Sequence, residues 1–308
     1  FSVSLFILIS GVATYFSYER NEFEIVSFKS NLIKQLPLLK KFIIAVLLNL
    51  LFVLLFLNPQ GEINYYKVLT LNELGYFIVF FIQLKMITPL LLWIFKKSSE
   101  NKFKNIYHIV TLIIILIISI IIMRFCNIFP FYGGGAYLLG GTYLFLYYFG
   151  IFLGSTSLFK CKSKRKRLIA LIGSFSLCLY WFFMQLSTNF YLDKLFSNFF
   201  GSGINPPSIF LSVYAFLVLI VCYSLFSILE DISTSMIKKI LYFLAFLGSN
   251  SLYIFMYHLL IRDVIFALFP SVINSMILLR VIVFPIMIIG APVICFLVLK
   301  IKSRFKLI

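Results

Sequence analysis

Long apolar runs separated by short polar stretches make up almost the whole chain. A helix that crosses a bilayer needs about 17–25 mostly apolar residues. About nine runs meet this requirement, and they predict an all-α, polytopic transmembrane helical bundle. The predicted spans cover about residues 1–18, 42–57, 74–95, 107–124, 136–154, 168–187, 208–228, 240–261 and 277–299. The second run is short, and we expect its helix to begin a few residues earlier, beside Pro37.

The composition agrees with lipid as the main solvent of the chain. Of its 308 residues, 62% are hydrophobic and only 12% are charged, and the mean hydropathy is +1.06. A soluble domain is about half apolar and about a quarter charged. We find no internal repeat and no linker long enough to divide domains. Residues 1–308 are therefore expected to form one integral membrane domain.

The distribution of basic residues predicts the orientation. Most of the 27 lysines and arginines fall in every second loop and in the tail, the densest group being the KCKSKRKR segment at residues 160–167. Basic loops remain in the cytoplasm. We therefore expect a multi-pass cell membrane protein with its visible N-terminus outside and its C-terminus in the cytoplasm. The 38 Phe residues and the many Ile, Lys and Asn residues fit a bacterial genome rich in A and T. Because Phe1 opens an outward-starting span without a signal peptide, a further helix is expected before it, giving ten spans.

The net charge of +17 does not indicate nucleic-acid binding, because the charges lie in separate loops and form no continuous basic face. The KCKSKRKR segment is first of all a topology signal. An alternative is that it binds anionic lipid or a phosphorylated cytosolic donor. The five cysteines contain no CxxC pair, so we expect no metal site.

Polar residues inside apolar spans are the candidates for chemistry, since a polar group deep in a bilayer is costly. His258 can act as a general base, or it hydrogen-bonds a neighbouring helix. Arg262, beside Asp263, can hold an anionic group or close the helix end. Lys85 lies near the middle of its span and needs a carboxylate, a carbonyl partner or a water-filled cavity, or it must be neutral.

Small residues are candidates of a different kind. Ser10 and Gly11 suit close helix packing, which is the commoner use of such a pair. The segment PFYGGGAYLLGG, residues 130–141, is interpreted as a re-entrant or substrate-facing outer loop, although its aromatic residues are also ordinary at a membrane interface. No motif of a soluble enzyme is present.

Three stretches, in this order, resemble segments of the acyltransferase type 3 family of integral membrane acyltransferases. FSVSLFILISGVATYFS (1–17) resembles the second helix of the family, with its Phe-Phe-x-x-Ser-Gly pattern. FKSNLIKQLPLLKKF (28–42) resembles the basic segment that ends in a proline, and LGSNSLYIFMYHLLI (247–261) resembles a late helix with Ser-Leu-Tyr and a His. GTYLFLYYFGIFLG (141–154) resembles a mid-chain segment more loosely.

This resemblance implies about ten spans and transfer of acyl groups, commonly acetyl from acetyl-CoA or another acyl-CoA, onto hydroxyls of cell-surface polysaccharide. It places Ser10, Gly11 and His258 in their motifs, and Lys34 and Pro37 in the basic segment. Asn31 stands where family members often have Arg, so Lys29, Lys34, Lys40 and Lys41 are the candidates for binding the donor phosphates. The principal catalytic His of the family lies in its first helix, which these residues lack, so the catalytic base stays unknown, with His258 a candidate.

The expected function is therefore O-acetylation in polysaccharide biosynthesis of the cell envelope. The expected partners are membrane lipid, a surface glycan and acyl-CoA, with no permanently bound cofactor. The alternatives are a glycan or lipid transporter without enzymatic activity, a glycan polymerase, for which the outer loops are short, and a structural membrane subunit. The oligomeric state stays open, and a homo-oligomer is one expectation.

Overall fold

The computed structural model describes residues 2–52, 76–128, 140–160, 163–186, 209–232 and 234–251, and isolated residues up to 293. These residues form α-helices and two 3₁₀ turns and contain no strand, which confirms the all-α prediction for this part of the chain. The helices are α1 (Ser2–Arg20), α2 (Phe28–Phe52), α3 (Tyr76–Ser99), α4 (Lys104–Ile128), α5 (Leu144–Ser155), α6 (Lys164–Leu186), α7 (Ile209–Ile232) and α8 (Ser235–Ser249). The 3₁₀ turns are Gly140–Tyr143 and Ser157–Lys160.

Three described helices are long and apolar enough to cross a bilayer: Phe77–Ser99, Lys104–Phe125 and Ser212–Ile232. The total of nine spans stays a prediction, because the run at 277–299 and much of the run at 240–261 lie outside the described residues. The run at 136–154 is described only from residue 140, where a 3₁₀ turn precedes a helix of 12 residues.

The predicted start of the second helix, beside Pro37, was wrong. Helix α2 begins at Phe28, well before residue 42 and before Pro37, which lies inside the helix. The apolar pattern identifies only the part of a helix that is in contact with lipid, whereas a helix can continue into water through polar residues such as Lys34. Proline removes one backbone N–H donor but is tolerated within membrane-protein helices.

The contacts divide the chain into two compact units, each of which is described by itself. The first contains residues 1–35 and 77–233, and the second contains residues 36–76 and 234–308. In the first unit, α1 packs most extensively against α5, while α7 packs on both α6 and α1. In the second unit, Thr234 caps the N-terminus of α8, and its side chain accepts a hydrogen bond from the Ile237 backbone N–H.

The crossing of α1 and α5 depends on two glycines. A β-carbon added at Gly11 would lie 2.8 Å from the Cα of Gly150 and would meet the carbonyl oxygen of Tyr147. A β-carbon at Gly150 would in turn meet the Leu8 carbonyl oxygen. Small residues allow two membrane helices to approach this closely. Gly11 therefore serves helix packing.

The outer surfaces of the helices are apolar. Ile113, Ile117 and Ile121 on α4 are each at least half exposed, as is Trp93 on α3. A contiguous apolar surface of this kind is rare on soluble monomers. Lipid acyl chains are a suitable solvent for it.

Segments predicted to be cytoplasmic, from the ends of α1, α3 and α5 and the start of α4, line one cavity of the first unit, and we call this end of the unit the basic end. Arg167, at the start of α6, forms an ion pair of 2.8 Å with Asp231, at the end of α7. Its Nη1 also donates to the Ser227 carbonyl oxygen at 3.0 Å. Arg167, the last residue of the KCKSKRKR segment, therefore joins α6 to α7. The cytoplasmic orientation of the basic end stays a prediction.

The α1–α5 contact leads to the first testable prediction. Gly11→Ala should destabilise the folded protein by about 1–3 kcal/mol, because the added methyl group must separate the two helices. Thermal unfolding in detergent measures the change. Gly173→Ala is the matched control, because a β-carbon at Gly173 meets nothing within 4 Å. Equal stability of the two variants would contradict the close contact.

Candidate functional site

Lys85 is the polar residue around which the candidate site is built. It lies near the middle of α3 and is half-buried. Its Nζ donates a hydrogen bond to Thr14 Oγ1 at 2.9 Å. The same atom lies 5.3 Å from the ring centroids of Phe81 and of Tyr147. Within the described residues no carboxylate forms an ion pair with Lys85, so a hydroxyl and two aromatic rings surround its amino group.

Three hydroxyl groups continue from Lys85 into the core of the first unit. The Tyr147 hydroxyl lies 2.8 Å from Thr14 Oγ1 and 2.9 Å from Thr88 Oγ1. All three side chains are buried, and Tyr147 is fully inaccessible to solvent. Each threonine also lies within hydrogen-bond distance of a backbone carbonyl oxygen one turn earlier, that of Ser10 or that of Leu84. These hydrogen-bonded hydroxyl groups join α1, α3 and α5.

Each hydroxyl group has only one proton to donate, and this restricts the possible directions of the hydrogen bonds among Thr14, Tyr147 and Thr88. Each hydroxyl donates one hydrogen bond, and Lys85 can only donate to Thr14 while it carries its full set of protons. In one possible arrangement of donors, Thr14 donates to Tyr147 and Tyr147 donates to Thr88. In the other, Thr88 donates to Tyr147, Tyr147 donates to Thr14, and Thr14 donates to the Ser10 carbonyl oxygen. In both orders Lys85 is the outer donor, so its position is fixed by the whole chain.

Asn31 fixes the backbone beside Lys85. The Asn31 amide group donates to the Lys85 carbonyl oxygen at 2.5 Å and is 3.4 Å from the Met86 carbonyl oxygen. These bonds join the start of α2 to the middle of α3. Asn31 therefore acts as a tie between helices and is not poised as a phosphate ligand.

A cleft of about 270 Å³ lies beside this network. Its lining extends from Asn21 and Glu24, which follow α1, to Thr14 and Lys85 in the middle of the helices. Lys34 and Gln35 of α2 also line it. Two basic side chains and one acidic side chain therefore face the cleft, and most of its other polar groups are neutral amides or hydroxyls. The excess of basic over acidic side chains suits a ligand that carries negative charge.

The structure brings together only some of the candidates from the sequence. Lys34 and Lys85 line the cleft, and Ser10 contributes its carbonyl oxygen to the hydroxyl chain. The other basic candidates on α2, Lys29, Lys40 and Lys41, are absent from the described lining of the cleft. His258 and Arg262 lie outside the described residues, as does most of the glycine-rich segment at 130–141.

Sequence reasoning missed Thr14, Thr88 and Tyr147. Each stands among apolar residues, and each had been counted as part of an ordinary span. The only local signal was the position of Thr14 one turn after Ser10, so that the two share a helix face. Nothing in the sequence pairs these residues across 133 and 59 positions.

A second cavity, of about 490 Å³, lies at the basic end. Lys96 and Lys104 line it together with His108, which is buried. His108 Nε2 is 3.2 Å from Ser99 Oγ, and its ring stacks on Phe95 at 4.9 Å. His108, which lies close to the start of an apolar run, was not identified from the sequence. The described residues contain no group of three or more side chains that could hold a metal ion.

Helices with exposed apolar surfaces and a cleft lined by polar residues between them define a helical membrane protein. The chain matches the family model described as an acyltransferase domain over residues 1–300. It therefore belongs to the acyltransferase type 3 family, and the protein is a membrane acyltransferase, an enzyme that transfers acyl groups other than aminoacyl groups. No curated protein and no solved structure matches the chain significantly.

Removing the Tyr147 hydroxyl group tests whether its hydrogen bonds to Thr14 and Thr88 form. Tyr147→Phe keeps the ring beside Lys85 but deletes two hydrogen bonds, so we expect the free energy of unfolding to fall by about 1–2 kcal/mol. Thermal unfolding in detergent provides the measurement. Tyr180→Phe is the control, because Tyr180 is 61% exposed and its hydroxyl should contribute little. A Tyr147→Phe variant as stable as this control would show that these hydrogen bonds do not form.

Proposed function

We propose that the protein is an O-acyltransferase that moves an acyl group, commonly acetyl, from acyl-CoA to hydroxyl groups of a cell-surface polysaccharide. Membership of the acyltransferase family supports the acyl transfer. The cleft from Asn21 to Lys85 supports the choice of donor, because two basic side chains and only one acidic side chain line it. This cleft is the single observation that carries the proposal.

The shape of an acyl-CoA suits such a cleft. Small-molecule pockets usually enclose about 300–1,000 Å³, so a cleft of about 270 Å³ takes only part of the donor. The part that fits is the thin arm with the thioester at its end. The phosphate groups then remain near the mouth of the cleft, where Lys34 lines it. Lysine side chains bind phosphates as point charges.

The structure of the first unit offers less to a transporter. A transporter needs a continuous path with paired charges in the membrane, whereas the ion pairs Lys97–Glu100 and Arg167–Asp231 lie at helix ends. On the side of Lys85 away from the basic end, Phe77, Phe80 and Tyr143 are fully buried, and Phe80 stacks on Tyr143 at 4.1 Å. Among the described residues of this unit, aromatic packing lies beyond Lys85 on that side.

The membrane arrangement completes the proposal. The basic end faces the cytoplasm of a bacterial cell, where acyl-CoA is made, and the acceptor glycan receives the acyl group near the outer leaflet. A base in the membrane activates the glycan hydroxyl, or an enzyme group relays the acyl group to it. The partners are then membrane lipid, acyl-CoA and a surface glycan.

Acetyl content of the surface polysaccharide tests the proposal. The intact gene is expressed in its deletion host, and glycan acetyl groups are counted by proton NMR. We expect acetylation to be lost in the deletion host and restored by the gene. Restored glycan export without a change in acetyl content would favour a transporter instead.

Lys34→Ala, expressed in the same host, tests whether Lys34 contributes to binding of acyl-CoA in the cleft. We expect its Michaelis constant for acyl-CoA to rise about tenfold in isolated membranes, corresponding to the loss of one charged hydrogen bond of about 1.4 kcal/mol. Lys29→Ala, on the same helix but absent from the cleft lining, is the control and should change this constant much less. Equal effects of the two variants would argue against donor binding in the cleft.

A further inference from the structure

The inner end of the cleft presents one basic group at the place where the transferred acyl group would arrive. We infer that Lys85 binds the carbonyl oxygen of the donor thioester and stabilises the negative charge that develops on it during transfer. This inference rests on the proposed function and assigns the catalytic stabilisation to one atom, Lys85 Nζ.

The hydrogen bonds of Lys85 leave it suited to this role. A lysine amino group carries up to three N–H donors, and Thr14 Oγ1 accepts one of them. The aromatic rings of Phe81 and Tyr147 flank the same nitrogen at 5.3 Å. These rings attract the positive charge but accept hydrogen bonds only weakly. A carbonyl oxygen in the cleft would therefore be a better acceptor for a second N–H than anything the described residues place there.

The charge of Lys85 fits a thioester better than it fits a phosphate. A phosphate monoester carries nearly two negative charges, and at the inner end of the cleft it would face one lysine among neutral hydroxyls. The oxyanion formed from a thioester carries a single negative charge, which one amino group can match. A group that develops charge only during the reaction also avoids the cost of burying a charged ligand beforehand.

The reaction step can be written in full around this atom. The oxygen of the acceptor hydroxyl attacks the thioester carbon, a new C–O bond forms, and the carbonyl π electrons move onto the oxygen that Lys85 contacts. When the carbonyl re-forms, the C–S bond breaks and its electrons leave with sulfur. A general base takes the hydroxyl proton and passes it to that sulfur, so the products are the ester and free CoA thiol. Lys85 keeps its protons throughout.

Rigid positioning is what gives such a donor its value. A donor fixed in advance needs no reorganisation when the charge forms, and removing one such donor commonly lowers the rate about 10²–10³-fold. Lys85 Nζ is held by Thr14, which is itself held by Tyr147. The backbone at Lys85 is held by Asn31. Thr14 and Asn31 are therefore positioning residues for Lys85.

The first experiment measures CoA thiol release by the full-length enzyme in lipid nanodiscs supplied with acetyl-CoA and acceptor glycan. Lys85→Met removes the N–H donors and keeps a long side chain. We expect its turnover to fall about 10²–10³-fold with little change in the Michaelis constant for acetyl-CoA. A variant that keeps its turnover, or that loses mainly donor affinity, would overturn the inference.

The second experiment uses two donor analogues that do not react. A trifluoromethyl ketone analogue hydrates to a tetrahedral group resembling the intermediate, whereas a thioether analogue has no carbonyl oxygen. We expect the wild-type enzyme to bind the ketone at least tenfold more tightly than the thioether. Lys85→Met should lose this preference while binding the thioether as the wild type does. Equal weakening for both analogues would place Lys85 against another part of the donor.

If Lys85→Met does not fold, variants at Thr14 test the role of Lys85, because Thr14 holds Lys85 Nζ. Thr14→Ser keeps the hydroxyl and should keep the preference for the ketone, whereas Thr14→Val should reduce both this preference and turnover. Equal preference in the two variants would contradict the positioning role. Failure of the proposed function looks different: the wild-type enzyme would then release no CoA thiol and bind neither analogue.

Discussion

The absence of water in the bilayer core means that a lysine in the middle of a membrane helix must find its partners within the protein. Lys85 finds them in Thr14, in two aromatic rings and in a cleft open to polar ligands. The partners come from three helices, so the network forms only when those helices are packed. Gly11 makes this packing possible, because it lets α1 approach α5 closely enough for Thr14 to reach Tyr147.

Function follows from the same constraint. A site that must satisfy Lys85 internally also holds it rigidly, and rigid donors are those that stabilise a developing charge best. The apolar surfaces of the helices keep the site within lipid, while the basic end leaves one side of the cleft near charged side chains such as Lys34. An acyl donor with a charged head and a thin neutral arm matches that gradient.

Much of this arrangement follows from the sequence, and the remainder has identifiable reasons. Apolar periodicity predicted α3 and α4 within a few residues, because lipid contact determines those helices directly. It misplaced the start of α2, since that helix continues through polar residues beyond the lipid. The need of Lys85 for a partner was predictable from bilayer physics, but Tyr147 as the centre of the network was not. Its hydrogen bonds join residues far apart in the chain, and no local pattern records them.

Reaction of a cysteine at position 85 with an aqueous reagent tests most directly whether this position faces a polar cleft. Lys85→Cys is made in a variant whose five native cysteines are replaced, and Leu90→Cys, at a 57% exposed apolar position of α3, is the lipid-facing comparison. We expect a small cationic thiol reagent to modify position 85 in membranes, to react more slowly when CoA is present, and to leave position 90 unmodified. Equal protection of both positions from the reagent would show that lipid, and not a ligand cleft, surrounds Lys85.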